Sequence, residues 1–117
     1  MNGGKPVSRI GKEFNIPAGI RREASRLGLD AVGTGGGIDY VLRRFGAFVA
    51  VVQARGDAGS PPSLTASCDV QIVRDVDGDW TPCAKIGFKT TRAALRWVAG
   101  VEHIEAYGDW REDEASP

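Results

Sequence analysis

Gly33-Thr-Gly-Gly-Gly-Ile-Asp-Tyr-Val-Leu-Arg-Arg-Phe-Gly-Ala-Phe-Val-Ala-Val-Val-Gln-Ala-Arg55 is the densest β-branched and aromatic run of the chain. Residues 38–45 and 48–55 suit a pleated, half-buried surface. Between them stands Gly46-Ala47, and glycine in the first central position suits a tight type II′ turn. The stretch therefore reads as a β-hairpin after a glycine-rich lead-in. Its register sets Phe45 opposite Phe48, Val41 opposite Val52 and Asp39 opposite Ala54. Tyr40, Leu42, Val49 and Val51 fall on the other face. Apolar residues on both faces predict strands inside a sheet.

Downstream, Cys68, Val70 and Ile72 alternate with Asp69 and Gln71, a half-buried strand. Asp75-Val-Asp-Gly-Asp79 resembles the opening of an EF-hand calcium loop. Trp80 stands where that loop needs glycine, however, and Ile86 where it needs the bidentate glutamate. The Asp-Gly pair reads as a hairpin turn, followed by a strand with Ala84, Ile86 and Phe88 inward. Thr90 or Thr91 caps a helix whose apolar face is Ala94, Leu95, Trp97, Val98 and Val101, ending near Gly100. Residues 101–107 are open between a last strand and a helical continuation. Arg55 to Ala66, rich in Gly, Pro and Ser, reads as a mobile loop.

Upstream, residues 8–14 suit a short helix that Asn15-Ile16-Pro17 interrupts. Pro17 suits the first turn of a second helix, with Ile20, Ala24 and Leu27 on one face and Gly28 at its end. Leu29 to Val32 is open between a short strand and an extended link. The expected fold is α+β: a four-stranded antiparallel meander (38–45, 48–55, 67–74, 82–89) with an N-terminal helix (17–27) and a C-terminal helix (91–99) packed on one face. A ferredoxin-like arrangement, with 101–107 as a returning strand, is the rival. One domain over 1–117 is expected, with a flexible leader at 1–7 and an acidic tail at 108–117.

Composition narrows the function classes. The chain has 117 residues, 42% hydrophobic and 26% charged, in the range of globular proteins. No apolar run approaches the ~20 residues of a membrane-spanning helix. Met1 to Ser8 lacks a signal-peptide apolar region, so a cytoplasmic protein is expected. Cys68 and Cys83 read as buried thiols, and with the single His103 they fall short of a zinc ligand set. Gly33 to Gly37 lacks the following helix and the Gly-Lys-Ser/Thr of a phosphate cradle. His103 has no nucleophile motif near it. No catalytic, cofactor or metal residues are expected, and the protein reads as a non-enzyme.

Formal charge is zero but unevenly spread. Residues 1–55 hold nine Lys/Arg against four Asp/Glu, a balance of +5; residues 56–117 hold six against eleven, a balance of −5. Such asymmetry bears on partners. The candidate partner contacts are Arg43, Arg44, Arg55 and Asp57 around the hairpin, with Arg21 and Arg22 on the first helix.

Two local resemblances add to this reading. Thr34-Gly-Gly-Gly-Ile-Asp-Tyr, a hairpin, Asp57 with a Pro-rich loop, and a second hairpin are together similar to small uncharacterised proteins of phages and plasmids. The similarity spans residues 33–99; many of those proteins carry cysteine where Ile38 stands. It implies a mobile-element accessory protein and no particular chemistry; together with the missing catalytic constellation and the split charge, the expectation is a non-enzymatic protein that binds a host or phage protein. An inhibitor of a host defence system, such as an anti-CRISPR, is its sharpest form. Asn15-Ile-Pro-Ala-Gly-Ile-Arg-Arg-Glu-Ala-Ser-Arg-Leu-Gly-Leu29 resembles the recognition-helix stretch of MerR-type regulators, with a shorter first helix and Ile20 one position off. It implies the alternative: a small nucleic-acid-binding protein using Arg9, Lys12, Arg21, Arg22 and Arg26.

Overall fold

A computed structural model describes residues 16–33, 39–56, 59–110 and 112–115. The expected leader, the 8–14 helix, most of the glycine run (34–38) and Asp57 lie outside the described residues.

The chain is α+β, but its sheet is not a four-stranded antiparallel meander. Six strands line up in the order β1-β2-β3-β4-β5-β6. They are β1 (Asp30–Gly33), β2 (Asp39–Phe45), β3 (Phe48–Ala54), β4 (Cys68–Val76), β5 (Asp79–Phe88) and β6 (Glu112–Glu114). β1 to β5 pair antiparallel, whereas β6 adds parallel to β5, so the sheet is mixed. Among the described residues the two α-helices are α1 (Ala18–Arg26) and α2 (Thr91–Gly100). Neither added strand carries the β-branched signal that marks a strand in sequence: β1 is Asp-Ala-Val-Gly and β6 is Glu-Asp-Glu. Pairing with a preformed neighbour, not propensity, makes them strands.

Inside the sheet the local chemistry decides. Val41 faces Val52 and Phe45 faces Phe48 across the first hairpin. Gly46 takes φ +64, the left-handed value its turn requires. The second hairpin closes on Asp77 (φ 54) and Gly78 (φ 88), the two positive φ values of a type I′ turn. Asp75 Oδ1 accepts from Gly78 N at 2.9 Å. The register shifts between Ile72 and Val73, so that Pro82 sits at the irregularity; a proline, which has no N–H to give the ladder, is tolerated there.

Val41, Ala50, Val52, Val70, Ile72, Ala84 and Ile86 form one cluster with Ile20 and Ala24 of α1 and with Ala94, Leu95 and Val98 of α2. Leu42, Val49, Val51 and Val73 form a second cluster with Val32, Tyr40 and Trp80, following the strand alternation onto the other face. Both helices therefore share one layer over the first face. α2 contacts β2 to β5; α1 lies beside α2 and over β1.

Residues 101–107 form neither of the expected elements, and so the ferredoxin-like rival fails as well. Val101 is extended, and Ile104–Tyr107 is a single 3-10 turn. Ile104 is buried, and Tyr107 meets Trp97 edge-on with centroids 5.7 Å apart. The Arg55–Ala66 loop is anchored at several points. Ala54 N donates to Gly59 O at 2.9 Å, Gly59 N to Tyr40 Oη at 3.3 Å, and Thr91 Oγ1 to Ala66 O at 2.9 Å.

Candidate functional site

The arginines have three different fates. Arg43 is spent inside the fold. Its Nη1 donates to Val98 O at 3.0 Å, Ala99 O at 2.8 Å and Val101 O at 3.5 Å, and its guanidinium stacks 4.3 Å from the Phe45 ring centroid. The carbonyls at the end of α2 need partners, and a cation there also suits the helix dipole. Gly100 belongs to the helix and takes no left-handed turn, so Arg43 does what a C-terminal glycine motif would otherwise do. By contrast, α1 ends on Gly28 at φ +80, with Leu29 N donating to Ala24 O at 2.8 Å and Gly28 N to Ser25 O at 3.1 Å.

Arg44 is in an exposed ion pair, whereas Arg55 bridges the exposed Glu114 and the buried Asp69. Arg44 Nη1 lies 3.1 Å from Asp75 Oδ2. The Gly78 N–H, more than Arg44, holds the Asp75 carboxyl below its ordinary pKa. Arg55 Nη1 lies 2.9 Å from Glu114 Oε2 and 3.6 Å from Asp69 Oδ1, and Arg55 Nη2 donates to Phe88 O at 2.9 Å. The hydrogen bond to Glu114 is the main cause that raises the Arg55 pKa above its ordinary value.

The helical layer holds the third set. Helical spacing turns Ile20, Glu23 and Ala24 of α1 inward, and Thr91, Ala94, Leu95 and Val98 of α2. Arg22, Arg26, Arg92 and Arg96 are left on the outer surface, all exposed. Arg21 is half-buried and lines a groove of about 440 Å³ between α1 and β1, with Arg22, Ala24, Leu29 and Ala31. The two helices hold five arginines and one acid, Glu23. That acid is buried and bound by Arg26 at 3.1 and 2.5 Å. Arg26 is the main cause that lowers the Glu23 pKa; Arg92 and Arg96 across the helix pair lower it further. A +4 layer results, built from both halves of the sequence.

The acids lie elsewhere. Asp75, Asp77 and Asp79 stand at the β4–β5 turn, at the end of the sheet opposite the one from which α2 starts. Glu112, Asp113 and Glu114 form the β6 edge, opposite the β1 edge that α1 covers. Neighbouring strands sit ~4.8 Å apart, so six strands separate the two edges by roughly 24 Å.

Of the sequence candidates, Arg21 and Arg22 stand together on α1, while Arg43, Arg44 and Arg55 point to three separate places. Arg92 and Arg96 are absent from the candidate set: they belong to the acidic half of the sequence, where a half-by-half charge count hides them. Their i, i+4 spacing on the polar side of an apolar helix was the available signal. Among the described residues no His/Cys/Asp/Glu group is placed to hold a metal ion, and no helix is long and apolar enough to cross a membrane. No family model, curated protein or solved structure matches the chain.

Proposed function

We propose that the protein acts by binding and not by catalysis, as a cytoplasmic accessory factor of the mobile-element kind, and that it covers a surface of a host or phage protein. An inhibitor of a host defence system, an anti-CRISPR among them, is the form this takes. The contact surface is the helical layer bearing Arg22, Arg26, Arg92 and Arg96, and the partner presents an acidic face to it. One observation carries the reading: four exposed arginines from two sequence-distant helices share one layer, while its only acid is buried and paired. Complementary charge sets approach rate and specificity in such contacts.

Pull-down from a bacterial lysate at moderate salt tests this, using the wild type beside the Arg22→Glu/Arg96→Glu variant. A protein retained by the wild type and lost from the variant is expected. No retained protein, or equal retention by both, ends the reading.

The alternative is nucleic-acid binding by the same layer. Favouring it, all four side chains are arginines, whose planar fork suits phosphate. They also repeat at i, i+4 on each helix, about 6 Å of helical rise apart. Against it stands the neutral overall balance, since dedicated nucleic-acid-binding domains are usually basic. A mobility shift at two salt concentrations separates the readings. Phosphate contacts demand affinity that falls steeply with salt, and Arg21→Ala/Arg22→Ala must flatten that slope.

A further inference from the structure

β6 is an unusual strand. It is three residues long, all acidic, with every side chain exposed. It pairs parallel to the outer edge of β5 in the register Lys85–Glu112, Ile86–Asp113 and Gly87–Glu114. Ala115 N continues the ladder, donating to Gly87 O at 2.8 Å. Nothing in Glu-Asp-Glu favours a strand, so what holds it must be supplied by the β5 edge.

That edge is shaped for an acidic strand. Arg55 grips the Glu114 carboxylate through Nη1 at 2.9 Å and Nη2 at 3.5 Å, and is itself steadied on Phe88 O. Lys85 stands beside Glu112 in the register. Gly87 leaves room for the carboxylate: a Cβ there would collide with the Glu114 side chain and come within 2.6 Å of Arg55 Nη1. Toward the helical layer, a cavity of about 470 Å³ is lined by Ile86, Phe88, Trp97 and Tyr107, and Ala115 packs at its margin. The edge thus offers backbone pairing, two cations at alternate positions, an open seat and an aromatic bed.

We infer that the outer edge of β5 is a strand-addition site for an extended acidic peptide segment, and that residues 112–115 occupy it as an internal ligand. The occupant shows the chemistry the site takes: acidic residues at alternate positions, followed by a small apolar residue. Main-chain pairing supplies affinity in this mode, and side-chain seats supply specificity. The site is separate from the arginine layer and does not depend on its role. A tethered occupant acts at high effective concentration. An outside segment therefore binds only when it outcompetes the tail or when the tail is weakened.

The test uses the full chain and a fluorescein-labelled peptide of the sequence of residues 109–117. Glu112→Ala/Glu114→Ala weakens the internal occupant without altering the edge. By fluorescence anisotropy, this variant is expected to bind the peptide at least about tenfold tighter than the wild type does, as a weakened tether demands. Adding Gly87→Val to the variant blocks the carboxylate seat, and adding Arg55→Ala removes the grip; each must abolish the gain. Circular dichroism of each variant keeps lost folding apart from lost binding. A peptide with lysine at positions 112, 113 and 114 must not bind. No binding to the folded double variant, equal binding to wild type and variant, or a gain that survives Gly87→Val overturns the inference.

Discussion

The middle and the margins of this sheet are held by different forces. β2 to β5 form two hairpins whose Val, Ile and Phe residues alternate onto two buried clusters. Their turns satisfy local backbone rules at Gly46 and at Asp77-Gly78. β1 and β6 lack that composition. β1 is held by pairing with β2 and by α1 over it, and β6 by the β5 edge and Arg55. Burial of apolar area dominates folding, so the middle carries the stability. The margins, held by exposed pairs, are where partners can act at small cost.

The largest effect should come from the middle. Ile72 is fully buried under the helical layer. Ile72→Ala is expected to lower unfolding free energy by about 2–5 kcal/mol, read as a fall in the urea midpoint. A loss under about 1 kcal/mol, the scale of a surface change, would mean that the middle is not the stable part.

Arg43 joins the middle to the helical layer. Arg43→Ala strands the carbonyls at the end of α2 and is expected to cost about 1–3 kcal/mol, again by urea titration. Binding through the exposed arginines should survive at concentrations where the variant is folded. If stability is unchanged, Arg43 is a surface residue after all and a partner contact in its own right.

At the β6 margin the expected cost is smaller. Glu114 is 66% exposed, so Glu114→Ala, which leaves Arg55 beside the buried Asp69, should cost no more than about 1 kcal/mol. It should instead loosen the tail selectively, seen as faster amide exchange of Asp113 and Ala115. Uniform loss of protection across β4 and β5 would erase the distinction between middle and margin.

The smallest effect at neutral pH concerns Asp75. Its pKa is lowered in the fold, first by the Gly78 N–H and then by its side-chain partners. The sign follows: a carboxyl with a depressed pKa contributes stability above its unfolded pKa, about 4, and that contribution is lost as pH falls through the folded value. Asp75→Asn should therefore lower the neutral plateau slightly and flatten the acid side of the stability curve, so that variant and wild type converge in acid below about pH 4, once the wild-type carboxyl is protonated. An unaltered acid limb would remove Asp75 from the account. Cys68 adds a check on the middle that leaves stability untouched. Burial, above all else, pushes its thiol up to about 11. Alkylation at neutral pH should thus be slow in the folded chain and rapid in denaturant.

Much of this layout was legible in advance where the information is local. The pairing of Val41 with Val52, the alternation of Cys68, Val70 and Ile72, the Thr90 cap on Ala93 N at 3.1 Å and the Gly28 terminator each depend on residues close in sequence or on a simple period. The candidate surface was half legible. Arg22 announced itself on a basic helix, whereas Arg43 looked equally available and is consumed by a helix end 55 residues away.

By itself, the sequence determined the α+β class, the two hairpins, the two helices and the apolar faces that bring them together, because period and turn chemistry act within a few residues. Only the tertiary structure decided between strand and extended link for Asp-Ala-Val-Gly, made Glu-Asp-Glu a strand, and set that last strand parallel to its neighbour. It alone decided which arginines are spent inside, and that Arg92 and Arg96 leave an acidic half to join Arg22 and Arg26. The physical reason is that pairing partners, carbonyls in need of a donor and converging charges are non-local. They arise from what folding brings into contact, and no window of sequence contains both sides of such a contact.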